Sequence, residues 1–282
     1  MSQKNAQHQS RPRHELTDEQ WERLQPLVPP QRTGKPGRPP RDHRRMINGM
    51  LWIAKTGVPW RDLPERYGPW HSVASRFYRW RRAGHWGRIL AALQIRVDAS
   101  GHLDWSAHFV DGTVVRAHQH AAGARTGEGG AATQALGWSR GGFSTKLHLR
   151  AERAGKPLVF LVTAGQRHEQ SVFEPLMQQG VAKRMGRGRP RVRPQRVVGD
   201  KGYSSRKIRR YLQRWSIRAM IPRKRDERRQ AHFDRDLYRE RNRVERCINK
   251  LKQFRRIATR YEKLAANYLA MIMLAAITLW LV

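Results

Sequence analysis

With 282 residues the chain has room for two ordinary domains and can bury a core without disulfide or metal staples. Its 57 Lys and Arg against 22 Asp and Glu leave a formal charge of +35; so basic a chain repels itself unless its partner is a polyanion, so nucleic acid is the expected partner. One cysteine, Cys247, excludes an internal disulfide framework and a cysteine-built zinc site, and fits a reducing compartment. The charge is spread, with 19 basic against 8 acidic residues over 1–100 and 29 against 7 over 183–260, so both halves are expected to face the polymer. The first thirty residues contain no apolar run of the signal-peptide type. The expected location is the cytoplasm, in association with the nucleoid.

Residues 1–14 read as a disordered basic tail. Thr17 and Gln20 fit a capping box, and Leu16 with Trp21 a hydrophobic staple, so a short helix is expected from Asp18 to near Pro29 and Pro30. The run Lys35-Pro-Gly-Arg-Pro-Pro-Arg41 reads as an extended linker that could follow a phosphate backbone or a minor groove. A second helix is expected over 42–56, carrying Met46, Ile47, Met50, Leu51 and Ile53 and ended by Gly57. Beyond Pro59, Pro64 and Pro69 a third helix over 70–83 puts Trp70, Val73, Phe77 and Trp80 on one arc. Ser72, Ser75, Arg76, Arg79 and Arg82 fall on the opposite arc and are the candidate DNA contacts. Two helices joined by a short turn, the second with this outward face, describe a helix-turn-helix module; a small bundle with a charged exterior is the alternative. An all-α domain over 15–100 follows.

After residue 101 short apolar runs replace helical periodicity. His108-Phe-Val110 leads into Asp111-Gly112 and then Thr-Val-Val115, which reads either as a strand that delivers an acid near its end and then returns as a second strand, or as a plain hairpin turn at Asp-Gly. Strands are expected over 158–163 and 195–199. The second ends in Asp200-Lys-Gly-Tyr203, with Ser204 or Ser205 capping a helix to about Trp215. Asp200 thereby sits at a strand end and a helix mouth, a common position for catalytic groups and also for capping acids. Over 238–252, Tyr238, Arg241, Glu245 and Lys252 share one roughly 60° arc of a helix, beside an apolar arc of Val244, Ile248 and Leu251. The apolar run 264–282 reads as a buried helix and not a membrane span, since Asn267, Tyr268 and Thr278 interrupt it. Arg187-Gly-Arg-Pro-Arg191 has the core of a minor-groove hook, but a basic loop is the simpler reading. His118, His120, His148 and His168 are expected at the surface or at DNA and not on a metal.

Three acids on two strands and a late helix suit phosphodiester chemistry. Two divalent cations held by hard carboxylate oxygens can stabilise the attacking and leaving oxygens of an in-line displacement. Asp111, Asp200 and Glu245 are therefore the candidate catalytic and metal-binding residues, with Mg²⁺ as the expected ion and Mn²⁺ as a substitute. The pattern alone gives a mixed α/β protein with an acidic cluster.

Several segments resemble the DDE transposases of the insertion-sequence-four and insertion-sequence-five superfamily. Gly57-Val-Pro-Trp-Arg-Asp-Leu-Pro64 resembles a run in the helical N-terminal domain of that family. Asp111-Gly-Thr resembles the first acid motif, Gly199-Asp-Lys-Gly-Tyr203 the second, and Tyr-x2-Arg-x3-Glu-x6-Lys from Tyr238 to Lys252 the third. Gly137-Trp-Ser-Arg-Gly-Gly-Phe-Ser-Thr-Lys-Leu-His148 resembles the segment between them. The resemblance implies an RNase H-like mixed sheet with flanking helices over 101–282. It also implies phosphate or transposon-end contacts from Tyr238, Arg241 and Lys252, and a synaptic complex that is at least a homodimer. The expected activity is binding of terminal inverted repeats, metal-dependent cleavage and strand transfer. A DNA-binding regulator without catalysis, or a metal-dependent nuclease without strand transfer, would share these residues.

Overall fold

Thr17 caps the first helix as expected. Its hydroxyl accepts the Gln20 backbone N–H at 2.9 Å while the Gln20 side chain accepts the Thr17 N–H at 3.0 Å, and α1 spans Asp18–Leu24. Leu16 is buried and Trp21 packs against the core, which is the staple. The computed structural model describes residues 13–31, 41–124, 133–139, 141–180, 190–225, 227 and 233–282. The tail before residue 13, most of the 35–41 run, Arg140 and residues 187–189 of the Arg187–Arg191 segment lie outside the described residues.

Asp42 caps α2, His43–Thr56, and Gly57 ends it in the left-handed conformation at φ 79°. Helix α3 spans Trp70–Arg82 and buries Val73, Phe77 and Trp80. Trp70 departs from the expected inward arc: it is 38% exposed, because it opens the helix beyond the edge of the core and takes Arg61 over its ring at 5.8 Å. The connection from α2 to α3 is residues 57–69 with two 3-10 turns, Trp60–Asp62 and Glu65–Tyr67. It is much longer than the three- or four-residue turn of a helix-turn-helix, and the prolines that punctuate it are the reason. A helix not anticipated above, α4, spans His85–Ala99. Its Trp86, Ile89, Leu90 and Leu93 are buried at helical spacing.

Strand β1 runs unbroken over His108–Ala117. The hairpin reading of Asp111-Gly112 is thus corrected: β1 pairs antiparallel with β3, Gly142–Glu152, without interruption from His108 opposite Glu152 to Arg116 opposite Ser144. A continuous ladder satisfies the backbone groups that a turn there would leave to water. A short strand β2, Gly137–Ser139, pairs with the start of β3. Strand β4, Pro157–Ala164, runs antiparallel along the rest of that edge. Helix α5, Phe173–Gln178, follows.

On the other side of β1, β5 (Arg196–Val198) is parallel to it. After α6, Arg206–Arg214, capped by Ser205, β6 (Arg218–Met220) is parallel to β5. The main order is β4, β3, β1, β5, β6, and β7, Thr259–Arg260, pairs with the end of β1.

The predicted helix over 238–252 is two pieces, α7 (Arg235–Arg239) and α8 (Asn242–Lys252). The break falls at Glu240, whose carboxylate takes Arg153 through two hydrogen bonds of 3.1 and 2.9 Å. That clamp draws the turn toward the β3–β4 connection. A short α9, Arg255–Ala258, precedes β7, and α10, Ala265–Trp280, closes the chain. α8 packs on β1 and β3, whereas α10 packs on α4 and β4, so the N-terminal helices share the core of the sheet domain. Among the described residues no helix is long and apolar enough to cross a membrane.

Candidate active site

Along β1, Phe109, Asp111, Thr113 and Val115 point to one face by strand alternation. α8 covers that face. Arg241, at its N-cap, brings a guanidinium Nη1 to 3.5 Å from Asp111 Oδ2. Lys252, at its last turn, donates to Thr113 Oγ1 at 2.7 Å. Val244, Ile248 and Leu251 bury the apolar arc predicted for them. Asp111 is aligned by its own neighbour, the Gly112 N–H, which donates to Oδ1 at 2.8 Å.

Asp200 arrives from the parallel strand. β5 pairs Val197 with His108 and Val198 with Phe109, so continuing that register by two residues sets Asp200 level with Asp111. There it ends the strand and caps the 3-10 turn Lys201–Tyr203, Oδ1 accepting the Gly202 N–H at 2.9 Å. The capping reading and the site reading therefore hold together.

Burial pushes the Asp111 carboxyl up to about 6. Its Gly112 hydrogen bond and Arg241 pull it down, while Asp200 and Glu169 push it further up. Carboxylates crowded at a half-buried strand end favour a cation there. The donor chemistry fits a hard divalent ion at Asp111 and Asp200, since each has one oxygen fixed by a backbone N–H. Glu245 stands slightly apart. It is half-exposed and ion-paired to Arg241 one turn earlier. Among the described residues no three His, Cys, Asp or Glu side chains stand close enough together to hold a metal.

Tyr238 is half-buried on α7 with its ring 5.2 Å from that of Phe233. On α3, Ser75, Arg79 and Arg82 are exposed, whereas Ser72 and Arg76 are half-buried. Arg76 is turned inward: it donates to His43 Nδ1 at 2.7 Å, and His43 Nε2 donates to the Pro29 carbonyl at 3.0 Å. His118 and His168 cap 3-10 turns. His148 corrects the expectation of a surface residue. It is fully buried on β3, bonded to Thr163 Oγ1 at 2.9 Å, and burial followed by Lys146 and Arg167 lowers it to about 4.

Two residues at the site carried no assignment above. Glu169, in the 3-10 turn Glu169–Val172 after β4, pairs with Lys146 of β3 at 2.8 Å. An acid just beyond a strand end, as at Asp200, was the available signal, and Lys146 lies in the Gly137–His148 segment.

Residues 16–90 match the family described as "Putative transposase of IS4/5 family", and residues 106–281 match the "Transposase DDE domain" family. The chain is 45% identical over 115 residues to "Uncharacterized protein y4sN" of Sinorhizobium fredii, covering 41% of this chain and 86% of that one. It is 36% identical over 107 residues to "Insertion element IS402 uncharacterized 16.2 kDa protein" of Burkholderia cepacia, covering 36% of this chain and 73% of that one. No solved structure matches it.

Proposed function

Because the chain belongs to the DDE-domain transposase family, we propose that it binds the terminal inverted repeats of an insertion sequence, cuts them with Asp111, Asp200 and Glu245, and joins the freed 3′ ends to target DNA. The observation that carries this reading is the placement of Asp111 on β1 and of Asp200 just past the end of the neighbouring β5, near enough to act on the Asp111 carboxyl, with Arg241 linking Asp111 to Glu245. An RNase H-like domain over 101–282 is supported by the sheet order, three antiparallel strands followed by parallel β5 and β6. The helical region 15–100 is the proposed end-binding domain. Two ends cut together call for two sites, hence at least a homodimer.

Mg²⁺ or Mn²⁺ held by Asp111, Asp200 and Glu245 would supply charge neutralisation at the phosphate and activation of the attacking oxygen. The chain's own part is to set the scissile phosphate against those acids. Lys252 and Arg241 border them on the α8 face and suit a phosphate oxygen. When Arg241 turns to DNA, Glu245 is released from its ion pair.

The test is incubation with Mg²⁺ or Mn²⁺ and a duplex bearing the element's terminal repeats. Asp111→Asn, Asp200→Asn and Glu245→Gln are each expected to bind ends normally and to lose about 10³-fold or more in cleavage, the equivalent of roughly 4 kcal/mol at the transition state. Unchanged cleavage in these variants would sink the site, and nicking without joining would favour the nuclease reading. On α3, Arg79→Ala and Arg82→Ala are each expected to reduce the salt slope of end binding by about 1. Arg76→Ala is expected to leave that slope alone, because its guanidinium is committed to His43. Binding measured from 50 to 300 mM salt, a range of the order used for such slopes, separates the two behaviours.

A further inference from the structure

Gly112 and Gly202 explain how a fourth acid reaches the two aspartates. A Cβ at Gly112 would stand 3.0 Å from Glu169 Oε1 and 3.2 Å from Lys146 Cε. At Gly202 it would stand 2.8 Å from Glu169 Oε2 and 2.9 Å from Asp200 Oδ1. Glu169 therefore spans the gap between the strand of Asp111 and the turn of Asp200, packed on two positions that have no side chain. It approaches from the face opposite α8, where Lys146 projects from β3 across from Val114.

The neighbouring Gln170 ties the same two turns together. Its amide donates to the Gly202 and Ser204 carbonyls at 2.8 and 3.2 Å. Both members of the Glu169–Lys146 pair are largely buried, at 16% and 14% side-chain exposure, so the pair was assembled against a desolvation cost. Tyr203 adds an independent sign. Its phenol is fully buried with no hydrogen-bond partner among the described residues. Burial raises it most, and Glu169, then Asp111, then Asp200 act on it next. A neutral pair in place of both Glu169 and Lys146 would fill the same space with less electrostatic cost, so the charge calls for a use.

We propose that Glu169 is a positioning carboxylate of the active site, with Lys146 as its counter-ion, that sets the Asp200 turn against β1 and adds the negative charge by which Asp111 and Asp200 take a divalent cation. This rests on the reading of Asp111 and Asp200 as metal ligands. Lys146 occupies Oε1, and Oε2 is left toward Asp200 and Gly202. The Gly137–His148 segment thereby acquires a role, since its Lys146 holds this acid in place.

The test uses the full chain, without DNA, titrated with Mn²⁺ and followed by the electron paramagnetic resonance signal of free Mn²⁺. Glu169→Gln is expected to bind Mn²⁺ about tenfold more weakly, as typical for a residue that orients metal ligands. Its cleavage is expected to recover at high Mn²⁺, which a purely structural defect would not do. Wild-type Mn²⁺ affinity in Glu169→Gln overturns the proposal, and so does a cleavage defect that added Mn²⁺ leaves untouched. Should Glu169→Gln fail to fold by circular dichroism, Lys146→Gln decides: the unpaired Glu169 is expected to tighten Mn²⁺ binding severalfold, and no change overturns the proposal. If Asp111→Asn and Asp200→Asn also bind Mn²⁺ like wild type, the metal-site reading itself falls and takes this one with it.

Discussion

Asp111→Asn is expected to give a protein that melts higher than wild type near pH 7.5 while losing about 10³-fold or more in DNA cleavage. The sign follows from the direction of the shift. Burial first, opposed by Gly112 and Arg241 and reinforced by Asp200 and Glu169, raises the carboxyl from 3.8 to about 6. The folded state thus prefers the protonated acid, so the stability linked to this group is complete below about pH 4 and is lost as pH rises through about 6. Above that the wild type carries a cost of about 2–3 kcal/mol, from which an asparagine is exempt. The advantage of Asp111→Asn should therefore be full above pH 6 and close to nil below pH 4. Calorimetric melting in a chelating buffer from pH 4 to 8 measures it. Adding Mg²⁺ should raise the melting temperature of wild type and not of the variant, because a ligand stabilises only the state that binds it. A variant that is less stable than wild type at pH 7.5 would refute the account of a strained, cation-seeking pair.

Arg241 gives this arrangement its sense. Its two contacts, to Asp111 and to Glu245, bring one guanidinium to acids from β1 and α8. A side chain that can also take a phosphate oxygen bidentately suits exchange between protein carboxylates and the DNA backbone.

The positions of the proposed site residues on their elements were largely legible in the sequence, and for identifiable reasons. Glu245, Arg241 and Lys252 lie on one helical arc, and local periodicity survives the break at Glu240 because all three belong to α8 or its cap. Tyr238 lies before the break, on α7. Asp111 was recognisable as a strand-borne acid, but the expected return of the chain at Gly112 does not occur. The straight course is set by β3, thirty or more residues later, whose ladder carries β1 straight through. Glu169 follows a predicted strand, but its approach to the aspartates was out of reach for a similar reason. Its approach depends on two glycines far apart in sequence, and neither spacing nor composition reports that they face one carboxylate. The helix α4 has ordinary helical spacing, and its partner, α10, lies at the other end of the chain. The short turn expected between α2 and α3 is replaced by residues 57–69, because faces can be read from a pattern, while the path of a proline-rich connection cannot.

Arg260 shows how a uniformly basic composition hides roles that only packing separates. It lies on β7 with no exposed surface. Its guanidinium donates to the Glu262, Ala135 and Lys263 carbonyls at 2.9, 3.2 and 3.0 Å, and to Thr145 Oγ1 at 2.7 Å. Thr145 Oγ1 in turn donates to the Ala135 carbonyl at 2.7 Å, so one cation ties β3, β7 and the entry to α10. Replacing it with methionine keeps much of the volume, takes this donor from the Glu262 and Lys263 carbonyls, and leaves the Ala135 carbonyl and the Thr145 hydroxyl with only each other. Arg260→Met is therefore expected to lower unfolding stability by about 3–5 kcal/mol, measured by urea denaturation. Arg79→Ala, on the exposed face of α3, should shift it by less than about 0.5 kcal/mol. The same pair should reverse in DNA binding: at a temperature where both are folded, Arg79→Ala loses a phosphate contact, and Arg260→Met retains the wild-type salt slope. If Arg260→Met were instead as stable as wild type but weak on DNA, the arginine would belong to the nucleic-acid surface and not to the core that joins the sheet to the C-terminal helix.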